Sequence, residues 1–424
     1  MKVGIYTLGC KVNAYESEFI SKLLSDNGYT ISNFEESCDI YIINTCTVTN
    51  TSDIKSRKII RQAKRRNNNA CLIAMGCFIE ANKDNNMEEI DIMLGNKDKS
   101  KIIELIEEFF NTKNKVSRLY DNLYDEFEDM YIDKFESKTR AFIKVQDGCE
   151  NYCSYCIIPY VRGKCRSKKL DIAIKEIKTL VSNGFKEVVL TGIHTGNYGV
   201  DINSSFAELL RNIVQTEGLK RLRISSIEIT ELTEEVLDII KEYEIIVNHI
   251  HIPLQSGSNN VLKMMNRKYD IEYFKEKIDK IRQIKKDISI TTDVIVGHPG
   301  ESEDNFKETI NNIKEIKFAK LHVFPYSIRK NTAAAEMIQV KDSIKKERVK
   351  ELINLSKELE LTYINKFINE ELEVLIETSN NEYSIGHTTN FLTIKIKKEL
   401  KSGKFYKVKL SDIEYPYMIG IIKS

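Results

Sequence analysis

Three cysteines close together in the middle of the chain are the residues best suited to chemistry. Cys149, Cys153 and Cys156 lie in the segment DGCENYCSYCIIPYVRG with the spacing C-x3-C-x2-C. Three thiolates on one short loop can bind three irons of a cubane iron–sulfur cluster and leave the fourth iron without a protein ligand. An open iron can bind a small molecule, so the spacing predicts a catalytic cluster. The alternative is a structural zinc site in which Cys165 supplies a fourth thiolate.

Three further cysteines, distant in sequence, each follow a predicted buried strand. They are Cys10 in TLGCKVN, Cys46 in NTCTVTN and Cys77 in AMGCF. Ligands bind beyond the carboxyl ends of parallel strands, so these thiols are expected to converge and to bind a second cluster with an open iron. The alternative is that each is an ordinary small buried hydrophobe, which is the interpretation we give to Cys38 and Cys71.

The N-terminal segment supplies the elements that position this second set of thiols. Apolar runs alternate there with helical stretches, a pattern typical of a parallel sheet covered by helices. The predicted strands are residues 3–8, 39–43, 71–75 and 90–94. One helix is predicted to begin after Asn13, a favourable cap, and to end at Gly28. Another, over residues 53–66, carries a run of Lys and Arg that is either a solvated face or a contact for an RNA backbone.

From residue 141 the chain repeats a strand followed by a helical stretch. The predicted strands are AFIKVQ, KEVVLT, KRLRISS, IVNHIHI, ISITTDVIV and FAKLHVF. One helix between them is predicted to open at Asp171 and to stop at Gly184, and a long helix from Asp342 to about Lys366 follows the last strand. This pattern predicts a partial barrel of six parallel strands with outer helices.

Active sites in such barrels lie at the carboxyl ends of the strands, so the residues there are candidates for cofactor binding. The candidates are Thr191, Gly192, Ser226, Glu228, Gln255, Gly297 and Glu301. The segment VIVGHPGES places a glycine-bearing turn where a flat ring or a ribose could lie against the backbone. No histidine is singled out as a catalyst, and no catalytic residue is predicted beyond the cysteines.

The pattern changes to a period of two after about residue 367. LEVLIE, FLTIKIK and FYKVKL are predicted strands, with breaks at residues 380–381, 402–403 and 411–412. We therefore expect a small antiparallel barrel. Lysines lie along two of its strands, at Lys395, Lys397, Lys398, Lys401, Lys404, Lys407 and Lys409. They favour contact with RNA, although lysines also protect sheet edges from pairing.

Composition and charge set the remaining limits. The chain has 424 residues, 42% hydrophobic and 30% charged, with a net charge of +1, so overall charge argues neither for nor against nucleic acid. No leader or long apolar segment is visible, and an odd count of nine cysteines suggests metal ligands in a cytoplasmic protein with no membrane contact. The predicted units are an N-terminal α/β domain (1–112), a linker (113–137), the partial barrel (138–366) and the C-terminal barrel (367–424).

The motifs together resemble the radical S-adenosylmethionine (radical SAM) methylthiotransferases over nearly the whole chain. The matching segments are GCKVN, NTC, GC, the three-cysteine loop, HIHIPLQSGSNNVLKMMNR and VGHPGE, and the C-terminal part is similar to a TRAM domain. The resemblance implies that Cys149, Cys153 and Cys156 hold the radical SAM 4Fe-4S cluster and that Cys10, Cys46 and Cys77 hold an auxiliary 4Fe-4S cluster. Two departures are Thr191-Gly192-Ile193, where many radical SAM enzymes have Gly-Gly-Glu, and His298, where relatives usually have Phe.

The resemblance also implies a reaction. S-adenosylmethionine serves once as methyl donor to sulfur and once as radical source, and a methylthio group is inserted at C2 of an adenine in tRNA. A sulfur donor and an electron donor are implied partners. TLGCKVN, LTGIHTGNYG and LHVFPYS are most similar to the branch that acts on N6-threonylcarbamoyladenosine 3′ of the anticodon, and Arg162 or Arg329 could pair with the carboxylate of that substrate.

Two kinds of alternative remain open from the sequence. Other branches of the same family act on isopentenyladenosine in tRNA or on an aspartate of a ribosomal protein. A protein of another class, a noncatalytic RNA-binding protein with two structural metal sites, would also carry two cysteine sets and a basic barrel.

Overall fold

A six-stranded parallel sheet forms the N-terminal unit in the computed structural model, which describes residues 1–85, 87–120, 126–135 and 139–422. In spatial order its strands are β2 (Thr30–Ser32), β1 (Lys2–Thr7), β3 (Ile40–Thr45), β4 (Cys71–Gly76), β5 (Ile92–Leu94) and β6 (Val116–Arg118). The helices are α1 (Lys11–Asp26), α2 (Asn50–Arg66), α3 (Cys77–Ala81) and α4 (Ile102–Thr112). The four predicted strands are confirmed, and the sheet gains two short strands, β2 and β6.

The helix α1 begins earlier than predicted. Cys10, not Asn13, is the N-cap residue. The side chain of Asn13 is buried and donates to the carbonyl of Leu8 at 2.7 Å and to that of Thr45 at 2.9 Å. It therefore satisfies backbone groups at the ends of two neighbouring strands instead of capping its own helix. The helix α2 also begins earlier than predicted, with Thr49 as its N-cap.

The central unit contains the predicted partial barrel. Its strands are β7 (Ala141–Lys144), β8 (Gln146–Asp147), β9 (Arg166–Ser167), β10 (Glu187–Thr191), β11 (Arg221–Ile224), β12 (His249–His251), β13 (Ser289–Val296) and β14 (Lys320–Pro325). Parallel sheets of order β7-β10-β11 and β12-β13-β14 are joined by bridges from Leu222 to Ile246 and from Ser226 to His251. The short antiparallel pair β8-β9 closes the base of the cysteine loop.

Among the described residues the central unit has eight α-helices, six of which pack on the hydrophobic core of the partial barrel. They are α5 (Ile158–Arg162), α6 (Leu170–Ser182), α7 (Phe206–Val214), α8 (Glu234–Glu242), α9 (Asn259–Met264), α10 (Ile271–Ile284), α11 (Glu303–Ile316) and α12 (Asp342–Asn365). The helix α6 starts one residue before Asp171, which therefore lies in the first turn and not at the cap; a carboxylate there still faces the positive end of the helix dipole.

The C-terminal unit is a closed five-stranded barrel, as the alternating pattern predicted. The strands are β15 (Glu371–Ser379), β16 (Ser384–His387), β17 (Thr393–Ile396), β18 (Phe405–Glu414) and β19 (Tyr417–Ile422). All pairs are antiparallel except β17 with β19. The predicted break at residues 411–412 is wrong, because these residues lie within β18, where the register shifts after Leu410.

The predicted domain limits remain predictions. Part of the predicted linker, residues 121–125 and 136–137, lies outside the described residues. Within the described part, β6 pairs with β5, and Met130 and Ile132 are buried in the core of the central unit. No helix among the described residues is both long and apolar enough to cross a membrane.

Candidate functional site

The first set of cysteines lies where three adjacent parallel strands end. Cys10 follows β1, Cys46 follows β3, and Cys77 opens α3 directly after β4. The strands are in register, so their carboxyl ends are level. Gly9 has a φ of +98°, and a Cβ at this position would lie 2.8 Å from the Cβ of Cys46. A glycine is therefore required for the loops that carry Cys10 and Cys46 to approach each other.

The environment of these thiols fits a cluster bound by thiolates. The side chain of Arg162 donates to the Sγ of Cys77 at 3.2 Å, and the amide of Asn96 does so at 3.6 Å. Burial, and then the neighbouring thiol of Cys77, raise the pKa of Cys46 to about 11. Thiols that are close together and receive N–H donors match the hydrogen bonding that stabilises cluster ligands. Cys38 and Cys71 lie elsewhere, in two separate hydrophobic clusters.

The second set of cysteines lies on the loop between β8 and β9. Gly148, next to Cys149, has a φ of +74°, and a Cβ there would overlap the carbonyl of Lys164 at 1.8 Å, so only glycine lets the base of the loop close. The Sγ of Cys153 accepts from Arg267 at 3.4 Å. Burial raises the pKa of Cys156 to about 12, and the thiol of Cys153 contributes to that increase. This loop also fits a cluster.

Cys165 does not join this set. Its side chain is buried, accepts from the amide of Gln146 at 3.2 Å and lies 3.5 Å from the carbonyl of Asn197. The zinc alternative required Cys165 as a fourth ligand on the same loop. Because the thiol of Cys165 contacts Gln146 and Asn197, we do not count it as a ligand together with Cys149, Cys153 and Cys156.

A cavity of about 190 Å³ opens beside Cys156. Gln255, one of the predicted cofactor-binding residues, lines it together with Tyr155, Asp293 and Phe324. Gln255 has a φ of +63°, and within the described residues its buried Oε1 has no hydrogen-bond partner. A buried acceptor with no protein donor, beside a cluster loop, suits a bound polar ligand.

The other predicted cofactor residues are spread around the same end of the partial barrel. Glu228 pairs with Arg267, the residue that donates to Cys153. Gly192 packs so closely on the side chain of Gln146 that a Cβ would lie 2.9 Å from its Oε1. Thr191 is buried, whereas Ser226 is exposed at the end of β11.

Gly297 and the Oε2 of Glu301 are hydrogen-bonded within the protein, whereas the Oε1 of Glu301 is buried without a partner among the described residues. The Glu301 carboxylate accepts from the amide of Gly297 at 2.6 Å and from Arg348 of α12 at 2.6 Å. Lys345 of the same helix covers Gly297. Neither residue lines the cavity beside Cys156, so their prediction as cofactor contacts receives no support from this geometry.

The largest feature that the sequence did not indicate is a buried charge network between the two cysteine sets. Arg162 is fully buried and donates to Glu16 at 3.1 Å, to Asp147 at 3.0 Å and to Asn13 at 2.9 Å, in addition to Cys77. Lys99 and Lys144 also pair with Glu16. Burial alone would raise the pKa of the Glu16 carboxyl, but Arg162, Lys144 and Lys99 together lower it. The network joins the loop of one set to the ligands of the other.

His298 has a position that the sequence left open. It is fully buried, its Nε2 lies 3.0 Å from the hydroxyl of Ser154, and its Nδ1 lies 2.9 Å from the carbonyl of Pro299. Ser154 is part of the cysteine loop. His298 therefore orients that loop from the far side, through a hydrogen bond that a Phe could not make.

Comparison with known proteins gives the class of the protein and then its family. The radical SAM superfamily matches residues 143–313, and an uncharacterized protein family, UPF0004, matches residues 2–95. Radical S-adenosylmethionine methyltransferase TsrM from Kitasatospora setae has the same fold, with a TM-score of 0.58 at 14% identity over 79% of this chain and 77% of that one. The fold and the three-cysteine loop thus define a radical SAM enzyme, which uses S-adenosylmethionine with an iron–sulfur cluster.

Relatives of similar length narrow the class to a family. Threonylcarbamoyladenosine tRNA methylthiotransferase MtaB of Bacillus subtilis is 43% identical over 99% of this chain and 95% of its own. The protein of the same name in Aquifex aeolicus is 38% identical over 96% of this chain and 100% of its own. tRNA-2-methylthio-N(6)-dimethylallyladenosine synthase of Thermoanaerobacter pseudethanolicus is 34% identical over 98% and 91%. The chain belongs to the radical SAM methylthiotransferase family, and the alternative of a noncatalytic RNA-binding protein is set aside.

Proposed function

We propose that this enzyme converts N6-threonylcarbamoyladenosine, 3′ of the anticodon in tRNA, to its 2-methylthio derivative. The observation that supports this proposal most is the proximity of the two cysteine sets. Arg162, on the loop of one set, donates to Cys77 of the other and to Asp147. Two neighbouring sets fit one cluster for radical generation and one for sulfur transfer. The relatives named for this substrate match at 36% to 43% identity. Those named for dimethylallyladenosine match at 34% to 35% identity. We therefore propose the substrate of the first group, whose members are more similar to this chain.

In this proposal Cys149, Cys153 and Cys156 bind the radical SAM cluster, and Cys10, Cys46 and Cys77 bind the auxiliary one. When bound, these groups and S-adenosylmethionine supply the radical and the sulfur that C2 of adenine requires. The chain's own side chains hold and shield them. Arg267 and Arg162 donate hydrogen bonds to one sulfur of each set, at 3.4 Å and 3.2 Å.

The cavity beside Cys156 is lined mostly by apolar side chains and is open to solvent at Phe324 and Pro325. Ile295, Phe324 and Pro325 give it an apolar wall, while Gln255 and Asp293 supply polar atoms that can orient a ligand. Such a lining, mostly apolar with a few polar groups, is typical of small-molecule sites. Gln255, Glu228, Ser226, Thr191 and Gly192 are our proposed contacts to S-adenosylmethionine.

The substrate carboxylate needs a partner other than the two arginines suggested by the sequence. Arg162 is fully buried in the charge network. Arg329 donates to Asp53 at 2.9 Å and to the carbonyl of Thr47 at 2.9 Å, and only 5% of it is exposed. Both side chains are thus used within the protein, so the pairing expected from the sequence receives no support for either.

The substrate assignment predicts a change in the modified nucleosides of a deletion strain. The 2-methylthio mark should disappear from threonylcarbamoyladenosine in tRNA and persist on isopentenyladenosine, as measured by mass spectrometry of nucleosides from the strain and its parent. Masses of the ribosomal proteins should be unchanged. Loss of the mark from isopentenyladenosine alone, or of a methylthio group from a ribosomal protein, would assign the enzyme to another branch.

We further propose that the C-terminal barrel binds the tRNA backbone. The edge-protection alternative loses its basis, because a closed barrel has no free strand edge to protect. Lys397, Lys404, Lys407 and Lys409 are exposed on its surface. A sulfur donor and an electron donor are also required by the chemistry and remain to be identified.

Replacing Lys407 and Lys409 together by Ala should weaken tRNA binding and flatten its salt dependence. Loss of two phosphate contacts should lower the slope of log Kd against log salt by roughly 1 to 2. The measurement is a filter-binding or anisotropy titration at several salt concentrations. The control is the double replacement of Lys175 and Lys178, which are exposed on α6 of the central unit. An unchanged slope would show that these barrel lysines do not contact phosphate.

Deleting the whole C-terminal barrel would disturb the central unit as well as tRNA binding. Arg221 of the central unit donates to the backbone carbonyls of His387 and Glu373, at 3.0 Å and 2.8 Å. Deletion would remove these acceptors from a buried guanidinium, which would keep only its ion pair with Glu187 at 3.6 Å among those described. Surface substitutions avoid that damage.

A further inference from the structure

A second cavity, of about 350 Å³, lies inside the partial barrel where all three units meet. Lys11 comes from the N-terminal unit, His249, Thr291 and His322 come from the inner wall of the partial barrel, and Phe391 comes from the C-terminal barrel. The two cavities lie next to each other along one face of β13, where Ser289 and Thr291 line the second and Asp293 and Ile295 line the first.

The wall of the second cavity is mostly apolar, with side chains such as Ile364, Leu392 and Met418, but it also carries a cluster of hydrogen-bonded polar side chains. The Nδ1 of His251 lies 2.9 Å from the hydroxyl of Thr291, and its Nε2 lies 3.3 Å from the carboxylate of Asp293. The hydroxyl of Thr291 also lies 3.2 Å from the Nε2 of His249. A wall of this kind suits a ligand with several hydrogen-bonding atoms better than an apolar one.

The anions around this cavity are already paired. Asp293 faces His251, as described above. Glu360 accepts from Lys320 at 2.9 Å and from the hydroxyl of Tyr415 at 2.9 Å. Glu360 is thus paired with a cation, whereas Asp293 faces a histidine and also lies close enough to Lys11 to act on its charge.

One cation beside the cavity, the ammonium of Lys11, differs from its neighbours. Lys11 makes no side-chain hydrogen bond or ion pair with any of the described residues, although its side chain faces the cavity. The neighbouring Arg140 and Arg223 are each paired, with Glu377 at 2.8 Å and with Glu187 at 2.9 Å. Lys11 is an exposed residue whose ammonium has no ion-pair partner among the described residues, so it can pair with an anionic ligand.

The floor of the cavity is rigid. Phe391 has a φ of +63°, its ring stacks on His387 with centroids 4.5 Å apart, and Arg223 lies 4.6 Å above its centroid. A floor held by such contacts does not need to rearrange around a ligand. Binding of a ligand therefore does not have to order the ring of Phe391, which reduces the entropy lost on binding.

We propose that Lys11 determines substrate specificity by binding the carboxylate of the threonylcarbamoyl group. This inference rests on the proposed function. With adenine in the cavity beside Cys156, the group on N6 extends into the adjoining cavity, where the histidines and Thr291 surround it and Lys11 meets its negative charge. A neutral isopentenyl group in the same place would leave the ammonium of Lys11 without a partner, which disfavours it.

The test compares two anticodon stem-loop RNAs that differ in one functional group. One carries threonylcarbamoyladenosine and the other its threoninamide analogue, in which the carboxylate is a neutral amide. The holoenzyme should bind the carboxylate form about 10- to 100-fold more tightly, the range expected for a hydrogen-bonded charge pair. The Lys11→Met holoenzyme should bind both RNAs with the affinity that the wild type has for the amide, and Lys11→Arg should restore part of the preference.

Lys22→Met is the matched control, since it removes the same charge from the same helix at a surface ion pair with Asp26. It should keep the wild-type preference. Iron content and 5′-deoxyadenosine formation, measured in parallel, show that the neighbouring Cys10 site is intact.

Three results would overturn the inference: no preference in the wild type, an unchanged preference in Lys11→Met, or an equal loss of affinity for both RNAs. Failure of the proposed function looks different. In that case the wild type forms no methylthio product on the threonylcarbamoyl RNA, whereas failure of the inference leaves product formation intact and removes only its dependence on the lysine.

Discussion

Replacing Cys153 by Ala is expected to abolish cleavage of S-adenosylmethionine to 5′-deoxyadenosine. A cubane held by two thiolates is poorly bound, and this position also receives the hydrogen bond from Arg267 at 3.4 Å. Product formation on tRNA should be lost with it, and iron content should fall by about half, because one of two clusters is lost. Anaerobic assay of 5′-deoxyadenosine by liquid chromatography, with iron analysis of the same sample, measures both effects.

The comparison variant is Cys46→Ala, which removes a thiol of the other set. It should form 5′-deoxyadenosine and yet give no methylthiolated tRNA, because these thiols are assigned to sulfur transfer and not to radical generation. Cys71→Ala, in the hydrophobic core, should keep both activities. Normal 5′-deoxyadenosine formation by Cys153→Ala, or wild-type product from Cys46→Ala, would refute the corresponding assignment.

Replacing Arg162 by Leu is expected to lower the free energy of unfolding by about 3–5 kcal/mol, the cost typical of removing one partner from a buried ion pair. Glu16 and Asp147 would lose a hydrogen-bonded cation at 3.1 Å and 3.0 Å in a site without access to water. Chemical denaturation, followed by far-ultraviolet circular dichroism, measures the change as a lower midpoint. The loss applies at neutral pH, where both carboxylates are ionised.

Arg329→Leu is the control for this effect. Arg329 is also largely buried, but its carboxylate partner Asp53 is partly exposed, so the loss should be nearer 1 kcal/mol. Arg162→Lys, which keeps the charge and loses the planar fork, should fall between wild type and Arg162→Leu. A midpoint for Arg162→Leu no lower than that of Arg329→Leu would show that the network does not stabilise the fold.

The sequence predicted the features that depend on local pattern. The spacing of Cys149, Cys153 and Cys156 is confined to one loop, and the convergence of Cys10 and Cys46 follows from parallel strands that each end just before a cysteine. The strands β16 and β19 were not predicted. β16 has only four residues and includes Gly386, a residue disfavoured in strands, although its pairing partners β15 and β17 are its neighbours in the sequence.

The sequence could not predict contacts that depend on tertiary packing. Arg162 pairs with Glu16 across 146 residues, and nothing near either residue indicates the other. Lys11 appears in the sequence as one more lysine beside a cysteine. The proposed role of Lys11 depends on which neighbouring charged residues already have ion-pair partners. Those partners are tertiary contacts, which only the folded structure shows.

The charge network also bears on how this protein could be recombined with its relatives. Glu16 and Lys99 come from the N-terminal unit, whereas Lys144 and Arg162 come from the central one, and the four are buried together. A chimera that joins the N-terminal unit of one homologue to the central unit of another would inherit half of a matched set of charges. The two units are therefore expected to have diversified as one heritable block.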